Sequence, residues 1–360
     1  MTIKVGHIGT GKTGKEALRA IIRDPALQLE ALVVTSPEKE GLDAGELCGL
    51  PPVGIIATRD LDAVVAMDLD CLSYGGSVIG REDEAVAEMA RFLERGVDVV
   101  TFALASMVYP AMSPPELASL VTTACAAGGS TFYASGMEPG WASFSMPYTL
   151  LSIAGEVHSY REEQHSLDMA AGYPIKEVVF GSMGFGQPAD SIPPRFVDGV
   201  CAKWWVPNLH VIADALGVEI ESTEFRWETQ VTPHELDTVL GPVAAGTIGA
   251  TFWELEATTT TGPAIFVDYV ARVAREAPVP EHWPQPSAGL DKGGITYRVL
   301  GRPSFKIDVQ AVQGADDGYV ASLAMTALHT INAIPSVIDA PAGHVTPLDL
   351  PQYTTRSASA

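Results

Sequence analysis

Three glycines follow the first apolar segment of the chain at the spacing Gly-x-Gly-x-x-Gly. The segment Ile3–Ile8 has the β-branched composition of a strand, and the stretch Lys12–Arg23 has helical periodicity. In such a unit the first glycine permits a tight turn, the second lets the backbone approach a pyrophosphate, and the third lets the helix pack on the strand. The turn is therefore predicted to bind a dinucleotide, because the helix N-terminus also attracts the anion. Its residues are Gly9, Thr10, Gly11, Lys12, Thr13 and Gly14.

The same alternation of strand and helix continues to about residue 135, which predicts a doubly wound parallel sheet of the Rossmann type. The predicted strands are Ile3–Ile8, Leu27–Thr35, Val53–Ile56, Cys71–Tyr74, Val97–Phe102 and Thr131–Ala134. The helices that separate most of them are Lys12–Arg23, Glu82–Glu94 and Pro115–Ala126.

After residue 135 the segments become longer, alternate strictly, and are rich in Thr, Glu and aromatic residues, which predicts an α+β domain with a largely antiparallel sheet. The predicted strands are Val157–Leu167, Val218–Val231, Thr247–Thr260, Thr296–Leu300 and Ser304–Val309. A last helix, at about Tyr319–Ile334, would return the chain to the first domain. We therefore expect a dinucleotide-binding domain at residues 1–135, completed by residues 318–360, and a substrate-binding domain at residues 136–317.

Charge and cysteine usage exclude several classes of partner. The chain has 22 Lys and Arg against 44 Asp and Glu, a net charge of −22, which repels nucleic acid and anionic membrane surfaces. The first residues predict a strand instead of a signal peptide, and we expect no membrane span, because no uninterrupted apolar run reaches the required length. Four cysteines without Cys-x-x-Cys spacing disfavour both a disulfide framework and a zinc site. We expect a cytoplasmic protein that binds neither nucleic acid, membrane nor metal.

The end of the second predicted strand decides between NAD and NADP. NAD-binding domains usually place an acidic residue there to hold the ribose hydroxyls, whereas this strand ends without one and Glu30 lies inside it. Ser36 and Lys39 can instead receive a 2′-phosphate, so NADP is favoured and NAD is the alternative. Lys39 lies between two glutamates, and its alternative role is a solvated loop charge.

Two further segments follow predicted strands at the edge where open α/β sheets bind ligands. Gly75 and Gly76 permit close approach of a cofactor, although an ordinary turn explains them nearly as well. The segment Gly136–Trp141 carries Glu138, whose carboxylate can accept a proton or hold a cationic substrate. The alternative is an acidic residue early in a helix that compensates the helix dipole, and spacing alone favours it.

Four segments resemble the dihydrodipicolinate-reductase-like dehydrogenases, and in particular the branch with 2,4-diaminopentanoate dehydrogenase and the native amine dehydrogenases. They are the glycine turn, Val108-Tyr109-Pro110, Gly136–Trp141, and Asn332–Val337 with Ala340–Gly343. The resemblance implies a homodimer, with dimerisation through residues 136–317, and places Asn332 at the cofactor. It implies NAD(P)-dependent reductive amination of a ketone or aldehyde with ammonia, and the reverse oxidative deamination of an amine.

Two departures from the family pattern suggest where the catalytic carboxylate lies. The family's glutamate pair before its Tyr-Pro is replaced by Leu104–Met107, which contains no acid, and the family's Asn-Pro-Gly is replaced by Glu138-Pro139-Gly140. Together they suggest a carboxylate lost near Ala105 and gained at Glu138. We therefore expect Glu138 to deprotonate ammonium and stabilise the iminium.

The expected substrate site combines aromatic and small polar side chains. Trp141 and Phe144 would line it, with Gln164 and Ser166 on the predicted strand. Few cationic groups are in view, which favours small aliphatic ketones or amines. The alternatives are an imine or carbonyl reductase and a non-catalytic NADP-binding protein. A dihydrodipicolinate-type reductase is disfavoured, because its His-His-x-x-x-Lys run is replaced by Gln164–Asp168.

Overall fold

The computed structural model describes residues 2–260, 262–311 and 318–356. The chain forms two compact units: Met1–Ser145 with Ser322–Ala360, and Met146–Ala321. The first boundary thus falls after Ser145 and not after residue 135, so that Gly136–Trp141 belongs to the first unit. The predicted second boundary, after residue 317, lies outside the described residues.

The strands, in chain order, are β1 (Ile3–Ile8), β2 (Leu27–Val33), β3 (Cys71–Tyr74), β4 (Asp98–Thr101), β5 (Thr131–Ala134), β6 (Glu156–Ser166), β7 (Ile220–Val231), β8 (Ile248–Thr259), β9 (Ala264–Arg272), β10 (Gly294–Arg302), β11 (Phe305–Val309) and β12 (Gly343–Val345). The α-helices are α1 (Lys12–Arg23), α2 (Ala44–Leu47), α3 (Leu61–Val65), α4 (Glu82–Leu93), α5 (Pro115–Gly128), α6 (Met146–Leu151), α7 (Met169–Gly172), α8 (Val200–Leu216), α9 (Gly318–Asn332) and α10 (Ile334–Ile338). Short 3-10 or π turns lie at Pro37–Lys39, Ala105–Met107, Pro110–Met112, Met137–Ser145, Glu177–Ser182 and Pro194–Gly199.

The first unit is built on a parallel sheet of six strands in the order β12-β5-β4-β3-β1-β2. β1 lies between β2 and β3, so the chain moves from β1 to β2 on one side and then crosses to β3 on the other side. The carboxyl end of β1 is therefore the topological switch point, where such sheets bind ligands. The predicted doubly wound parallel sheet is confirmed.

One predicted strand of this unit, Val53–Ile56, is wrong. The segment makes only isolated bridges, from Ile56 to Asp43 and from nearby Thr58 to Val33. Gly54 has φ +83°, which turns the backbone out of the extended conformation and prevents a continuous ladder.

Periodic apolar residues hold the first unit together. α1 buries Gly14, Ala17, Leu18 and Ile21, the spacing of one helix face. This face packs in one core cluster with side chains of the sheet and of the last two helices, namely Val5, Val100, Tyr133, Ala327, Ile331, Ile334 and Val337.

The returning segment Ala321–Ile338 is long and apolar enough to cross a membrane by length and composition. The same segment places Ala327, Ile331 and Val337 in the core of the first unit. Because buried core helices meet the same criterion, it is weak evidence for a membrane span.

The second unit is a mixed, mostly antiparallel sheet of six strands in the order β11-β10-β6-β9-β8-β7, with β6 and β9 as its parallel pair. The predicted antiparallel character is confirmed, although the sequence analysis did not identify β9 or α8. α8 packs on one face, where Trp205 contacts Trp253 and Tyr269 with ring centroids 4.8 and 6.2 Å apart. We call this the α8 face.

Candidate functional site

The glycine turn has the geometry of a dinucleotide cradle. Gly9 has φ +100°, and a Cβ there would lie 2.3 Å from the carbonyl oxygen of Gly75. A Cβ on Gly14 would lie 2.5 Å from the carbonyl oxygen of Gly9, so only glycine permits this contact between helix and turn. No atom lies within 4 Å of a Cβ built on Gly11, which leaves open space where a pyrophosphate would approach.

The first turn of α1 presents its backbone N–H groups to this open space. Gly11 is the N-cap, has no side-chain cap, and no acidic residue lies in the first turn. Lys12 there is exposed and Thr13 is half-buried. Uncapped N–H groups at a helix N-terminus bind anions. The residues present therefore fit the pyrophosphate of a dinucleotide.

The same residues also match the P-loop pattern Gly-x-x-x-x-Gly-Lys-Thr, starting at Gly6. The structure separates the two motifs, because Gly6 lies inside β1 and pairs with Ala31 and Leu72. The turn between β1 and α1 is thus only Gly9–Gly11, too short for a loop wrapped around a triphosphate.

A buried histidine on β1 holds the glycine turn in place through a hydrogen bond. His7 on β1 donates from Nε2 to the carbonyl oxygen of Gly14 at 3.1 Å, and its Nδ1 lies 3.0 Å from Ser73 Oγ. Burial lowers the pKa of His7 to about 4, against the pull of these hydrogen bonds, so the ring is neutral at pH 7. A neutral ring with Nε2–H suits the carbonyl acceptor.

The segment after β2 contacts the glycine turn. The ammonium of Lys39 donates to the carbonyl oxygen of Thr10 at 3.1 Å and to its Oγ1 at 3.0 Å. Ser36 Oγ donates to the carboxylate of Glu38, and this hydrogen bond lowers the pKa of that exposed carboxyl. The structure brings Lys39 to the cradle, whereas the Ser36 hydroxyl is bonded to Glu38. It also adds Glu38, an acceptor that the sequence analysis treated only as a flanking charge.

Gly75 and Gly76 close the other side of the turn. The N–H of Gly75 donates to the carbonyl oxygen of Ile8 at 2.7 Å. A Cβ on Gly75 would lie 2.5 Å from the Phe102 ring, and one on Gly76 would lie 3.1 Å from the Tyr74 ring. Close packing against Gly9 therefore explains Gly75 without a ligand.

The contact of Asn332 with the cofactor stays a prediction, and the structure shows which contacts its backbone makes. Its carbonyl oxygen accepts a hydrogen bond of 3.1 Å from Arg356, whose guanidinium also pairs with Asp24 at 2.7 Å. Asp24 caps the C-terminal end of α1, about 20 Å along the helix from Gly11 at roughly 1.5 Å per residue. The motif around Asn332 anchors the C-terminal segment to α1.

This chain departs from the family's carboxylate pattern at two positions, and these positions follow the carboxyl ends of two adjacent strands, β4 and β5. Thr101 and Ala134 are register partners on these adjacent parallel strands. Ala105 and Glu138 each follow that pair by four residues. Because adjacent strands lie about 4.8 Å apart, a carboxylate lost after β4 and gained after β5 stays at the same edge of the sheet.

The segment Gly136–Ser145, here called the crossover loop, holds Glu138 outside regular helix. Glu138 is half-buried and has extended backbone, with φ −150° and ψ 114°. Gly140 has φ +143°, and a Cβ there would lie 2.7 Å from Ser135 Oγ. Trp141 N–H donates to the carbonyl oxygen of Gly136 at 2.8 Å. Glu138 thus precedes the helical turns, which weakens its alternative role as a first-turn residue that compensates the helix dipole.

The two predicted aromatic residues of this loop differ in exposure. Trp141 is half-buried, whereas Phe144 is fully buried and packs edge-on against Tyr109 with ring centroids 6.1 Å apart. Phe144 therefore supports the loop from inside the first unit, and Trp141 retains surface for a ligand.

In the second unit, Gln164 and Ser166 lie on the α8 face of β6. Gln164 is the register partner of Tyr269, and its amide donates to Glu162 Oε1 at 2.6 Å. Ser166 Oγ lies 3.4 Å from Met169 Sδ. Glu162, a carboxylate only 1% exposed, was missed from the sequence because Arg161–Gln164 reads as a polar strand.

His165 points to the opposite face from Gln164, because neighbouring residues of a strand alternate. It is buried, and neither ring nitrogen has a hydrogen-bond partner. Burial and then the charges of Arg272 and Arg298 lower the pKa of His165 to about 4, so the ring is neutral. It therefore lacks the charge expected of a proton donor to a substrate.

Comparisons with known proteins agree with this geometry. The family model for the N-terminus of dihydrodipicolinate reductase matches residues 3–72. The amine dehydrogenase of Streptomyces virginiae is 32% identical over 345 residues, which cover 95% of this chain and 94% of that protein. The 4-hydroxy-tetrahydrodipicolinate reductase of Acaryochloris marina is 41% identical over 56 residues, only 16% of this chain.

Solved structures show the same fold. The amine dehydrogenase of Mycobacterium smegmatis superposes with a TM-score of 0.74 at 20% identity, covering 99% of this chain and 98% of that one. The biliverdin reductase of Synechocystis, in complex with biliverdin and NADP+, superposes with a TM-score of 0.50 at 14% identity, covering 94% and 90%.

The parallel sheet, the glycine cradle at its switch point and the second sheet define the class of NAD(P)-binding oxidoreductases. The likeness to dihydrodipicolinate reductases is confined to the nucleotide-binding region. The likeness to amine dehydrogenase runs through both units, and the chain belongs to the amine dehydrogenase family.

Proposed function

We propose that this protein interconverts a small aliphatic ketone or aldehyde and its primary amine with NADP(H) and ammonia. The observation that carries the proposal is the full-length relationship to an amine dehydrogenase, joined to a cradle that fits a dinucleotide. In the aminating direction, carbonyl compound, ammonium, one further proton and NADPH give alkylammonium, water and NADP+.

The glycine turn and the segment after β2 would hold the cofactor. The N–H groups at the start of α1, freed by the absence of a side-chain cap at Gly11, would bind the pyrophosphate. Lys39, which already contacts Thr10, would hold the 2′-phosphate together with Ser36, and this favours NADP over NAD. When bound, the nicotinamide supplies or accepts the hydride.

Glu138 is the proposed catalytic residue. Its carboxylate would take a proton from ammonium, which frees the nitrogen lone pair to attack the carbonyl carbon. Loss of water from the adduct leaves a cationic iminium, and the same carboxylate would stabilise that charge. Trp141, Gln164 and Ser166 are the proposed substrate contacts, and aromatic surface would exclude water from the reacting carbon.

We further propose a cytoplasmic homodimer. All four cysteines are free and buried, which suits a reducing compartment. The second-unit sheet face opposite α8 carries partly exposed Phe266 and Arg226, a surface that a second copy would cover. Light scattering of the purified protein tests the dimer, and a monomer at micromolar concentration would refute it.

The test of the activity is oxidation of NADPH and of NADH with a panel of short ketones and aldehydes, each with and without ammonium. We expect oxidation only when ammonium is present, and faster with NADPH. Equal oxidation without ammonium would identify a carbonyl reductase. Tight NADPH binding with no turnover of any carbonyl compound would identify a non-catalytic binding protein.

A further inference from the structure

The residue that directly precedes the crossover loop is held by a side chain of α9. Thr330 is fully buried, and its hydroxyl donates to the carbonyl oxygen of Ser135 at 2.9 Å, across 195 positions of sequence. The N–H of Ser135 donates to the carbonyl oxygen of Thr101 on β4 at 3.0 Å. A Cβ on Gly136 would lie 3.2 Å from Thr326 Cγ2, so α9 also packs against the first residue of the loop. The start of the crossover loop is therefore fixed by the parallel sheet on one side and by α9 on the other.

The hydroxyl of Thr330 is directed chiefly to the strand end and not to its own helix. A helical threonine commonly donates to the carbonyl oxygen four residues earlier. Thr326 and Thr122 both do so, at 2.9 and 2.7 Å. For Thr330 the corresponding contact, with the Thr326 carbonyl oxygen, is 3.3 Å, longer than its contact with Ser135. The tertiary hydrogen bond is thus the shorter of the two.

The crossover loop folds back onto the same two residues, Ser135 and Gly136. The N–H of Trp141 donates to the carbonyl oxygen of Gly136 at 2.8 Å. A Cβ on Gly140 would lie 2.7 Å from Ser135 Oγ, so the backbone of the loop returns to the strand end there. Glu138 lies between the strand end and these returning contacts, in extended backbone. A shift of Ser135 would therefore move Glu138 with it.

The C-terminal segment joins the same strand and the same helix close to this hydrogen bond. The hydroxyl of Tyr353 lies 2.7 Å from the hydroxyl of Tyr133 on β5 and 2.9 Å from Nε2 of His329 on α9. Tyr133 lies two residues before Ser135, and His329 directly precedes Thr330. Burial lowers the pKa of His329 to about 4, so the ring is neutral and can accept a hydrogen bond from a tyrosine hydroxyl. Two polar contacts therefore connect α9 to the end of β5.

We propose that Thr330 is a positioning residue for the reaction, because its hydrogen bond to Ser135 sets the place of the Glu138 carboxylate. Tyr353 supports the same contact from the C-terminal segment. The inference rests on the proposed function, since the effect of Thr330 on amination passes through Glu138. Displacing a reacting group by about 1 Å can lower a rate by roughly 10²-fold. A hydrogen bond at the base of the loop therefore affects turnover without touching substrate.

The first test does not depend on activity. Amide hydrogen exchange, followed by mass spectrometry, compares the peptide that covers the crossover loop with the peptide that covers the glycine turn. Thr330→Val keeps the β-branched shape and removes the hydroxyl. Exchange in this variant should become about 3- to 10-fold faster in the crossover loop and stay unchanged in the glycine turn. Thr330→Ser keeps the hydroxyl and should restore most of the wild-type rate.

Thr122→Val is the matched control, because it removes a hydroxyl that donates within α5 at an exposed position. It should leave exchange in the crossover loop unchanged. Unchanged exchange in Thr330→Val, or equal acceleration of both peptides, would overturn the inference and leave the dehydrogenase function standing. If Thr330→Val does not fold, Tyr353→Phe takes its place. Faster exchange confined to the crossover loop is again expected, and its absence would overturn the inference.

The second test is a double-mutant cycle on turnover. In Thr330→Val, kcat for amination should fall by about 10- to 100-fold, with KM for the ketone and Kd for NADPH unchanged. In the Glu138→Gln background the same substitution should lower kcat by less than about twofold, because Thr330 acts through Glu138. An equal loss in both backgrounds would overturn the inference. If wild type turns over no carbonyl compound, the proposed function fails, and the exchange experiment alone decides whether Thr330 positions the loop.

Discussion

The glycine turn and the crossover loop both follow a parallel strand at the same edge of the first sheet, and both depend on glycines that tolerate no side chain. In the turn, Gly9 and Gly14 bring backbone groups together, and the proposed ligand contacts are backbone N–H groups. In the crossover loop, Gly140 bends the chain against Ser135, and the proposed chemistry belongs to one side chain, Glu138.

The difference shows why one site is easier to identify from sequence than the other. Backbone contacts require glycines at fixed spacing, so the spacing alone predicts the function. A side-chain carboxylate can be supplied from either of two adjacent strand ends. The family's glutamate after β4 and Glu138 after β5 are such a pair, because Thr101 and Ala134 are register partners.

The largest effect should come from the crossover loop. Glu138→Gln removes the proton acceptor and should lower kcat for amination by about 10²- to 10⁴-fold. Dissociation constants for NADPH, measured by nicotinamide fluorescence, should not change. Glu116→Gln, an exposed carboxylate in the first turn of α5, is the control. Full turnover in Glu138→Gln would remove the catalytic role from the crossover loop.

A substitution in the glycine turn should instead lower the stability of the folded protein. Gly9→Ala places a Cβ 2.3 Å from the Gly75 carbonyl oxygen at φ +100°, so the free energy of unfolding should fall by at least about 3 kcal/mol. Urea denaturation measures it. Gly172→Ala, where a Cβ meets no atom within 4 Å, should change stability little. Equal stability of both variants would contradict the packing described here.

Gly11→Ala should separate binding from folding within the same turn. Its φ is −67° and its Cβ would meet open space, so stability should change by less than about 1 kcal/mol. NADPH affinity should fall by about 10- to 100-fold, because the methyl group occupies the pyrophosphate position. Unchanged affinity in a folded Gly11→Ala variant would exclude the cradle as the cofactor site.

Lys39→Gln tests the cofactor preference. It should weaken NADPH by roughly tenfold and leave NADH nearly unchanged, because only NADP carries the 2′-phosphate. Lys4→Gln removes the same charge from the amino end of β1, where Lys4 pairs with Asp68, and should alter neither cofactor. If affinity for NADPH and for NADH fell equally, Lys39 would support the glycine turn and would not bind the 2′-phosphate.

The last effect concerns pH. The pKa of His7 in the folded state, about 4, lies below the ordinary 6.5, so the unfolded chain takes up a proton first as the pH falls. The stability that neutral His7 contributes should therefore decrease between about pH 6.5 and 4, by about 1.4 kcal/mol per pH unit. Urea denaturation at pH 7 and pH 5 should show a larger loss for wild type than for His7→Gln. Parallel losses would refute a neutral buried His7.

The accuracy of the sequence predictions divides in a similar way. Elements set by local sequence were predicted, and elements that depend on distant segments were missed. The bounds of β1, α1, β3 and β5 match their predictions, because strand composition and helical periodicity agree there with the turn chemistry. β9 and α8 were missed, and α8 contains Pro207, which obscures a helical pattern. Both lie in the second unit, where antiparallel pairing depends on distant segments.

The positions of Gly9, Gly11 and Lys39 at the turn could be predicted from the sequence, because local geometry places them there. Their contacts with a cofactor stay predictions. The role of Asn332 stays a prediction, and its motif also anchors the C-terminal segment, because Arg356 connects its carbonyl oxygen to Asp24. Glu162 was missed, because its significance lies in its burial after folding. Burial of a polar residue leaves no trace in a single sequence.

The most direct test of the proposed chemistry follows the nitrogen atom. Purified protein, NADPH, a small aliphatic ketone and ammonium labelled with heavy nitrogen should yield one labelled primary amine per NADPH oxidised, measured by mass spectrometry. Glu138→Gln should bind NADPH and form almost no labelled amine. An alcohol as product, or NADPH oxidation without labelled amine, would contradict the assignment as an amine dehydrogenase.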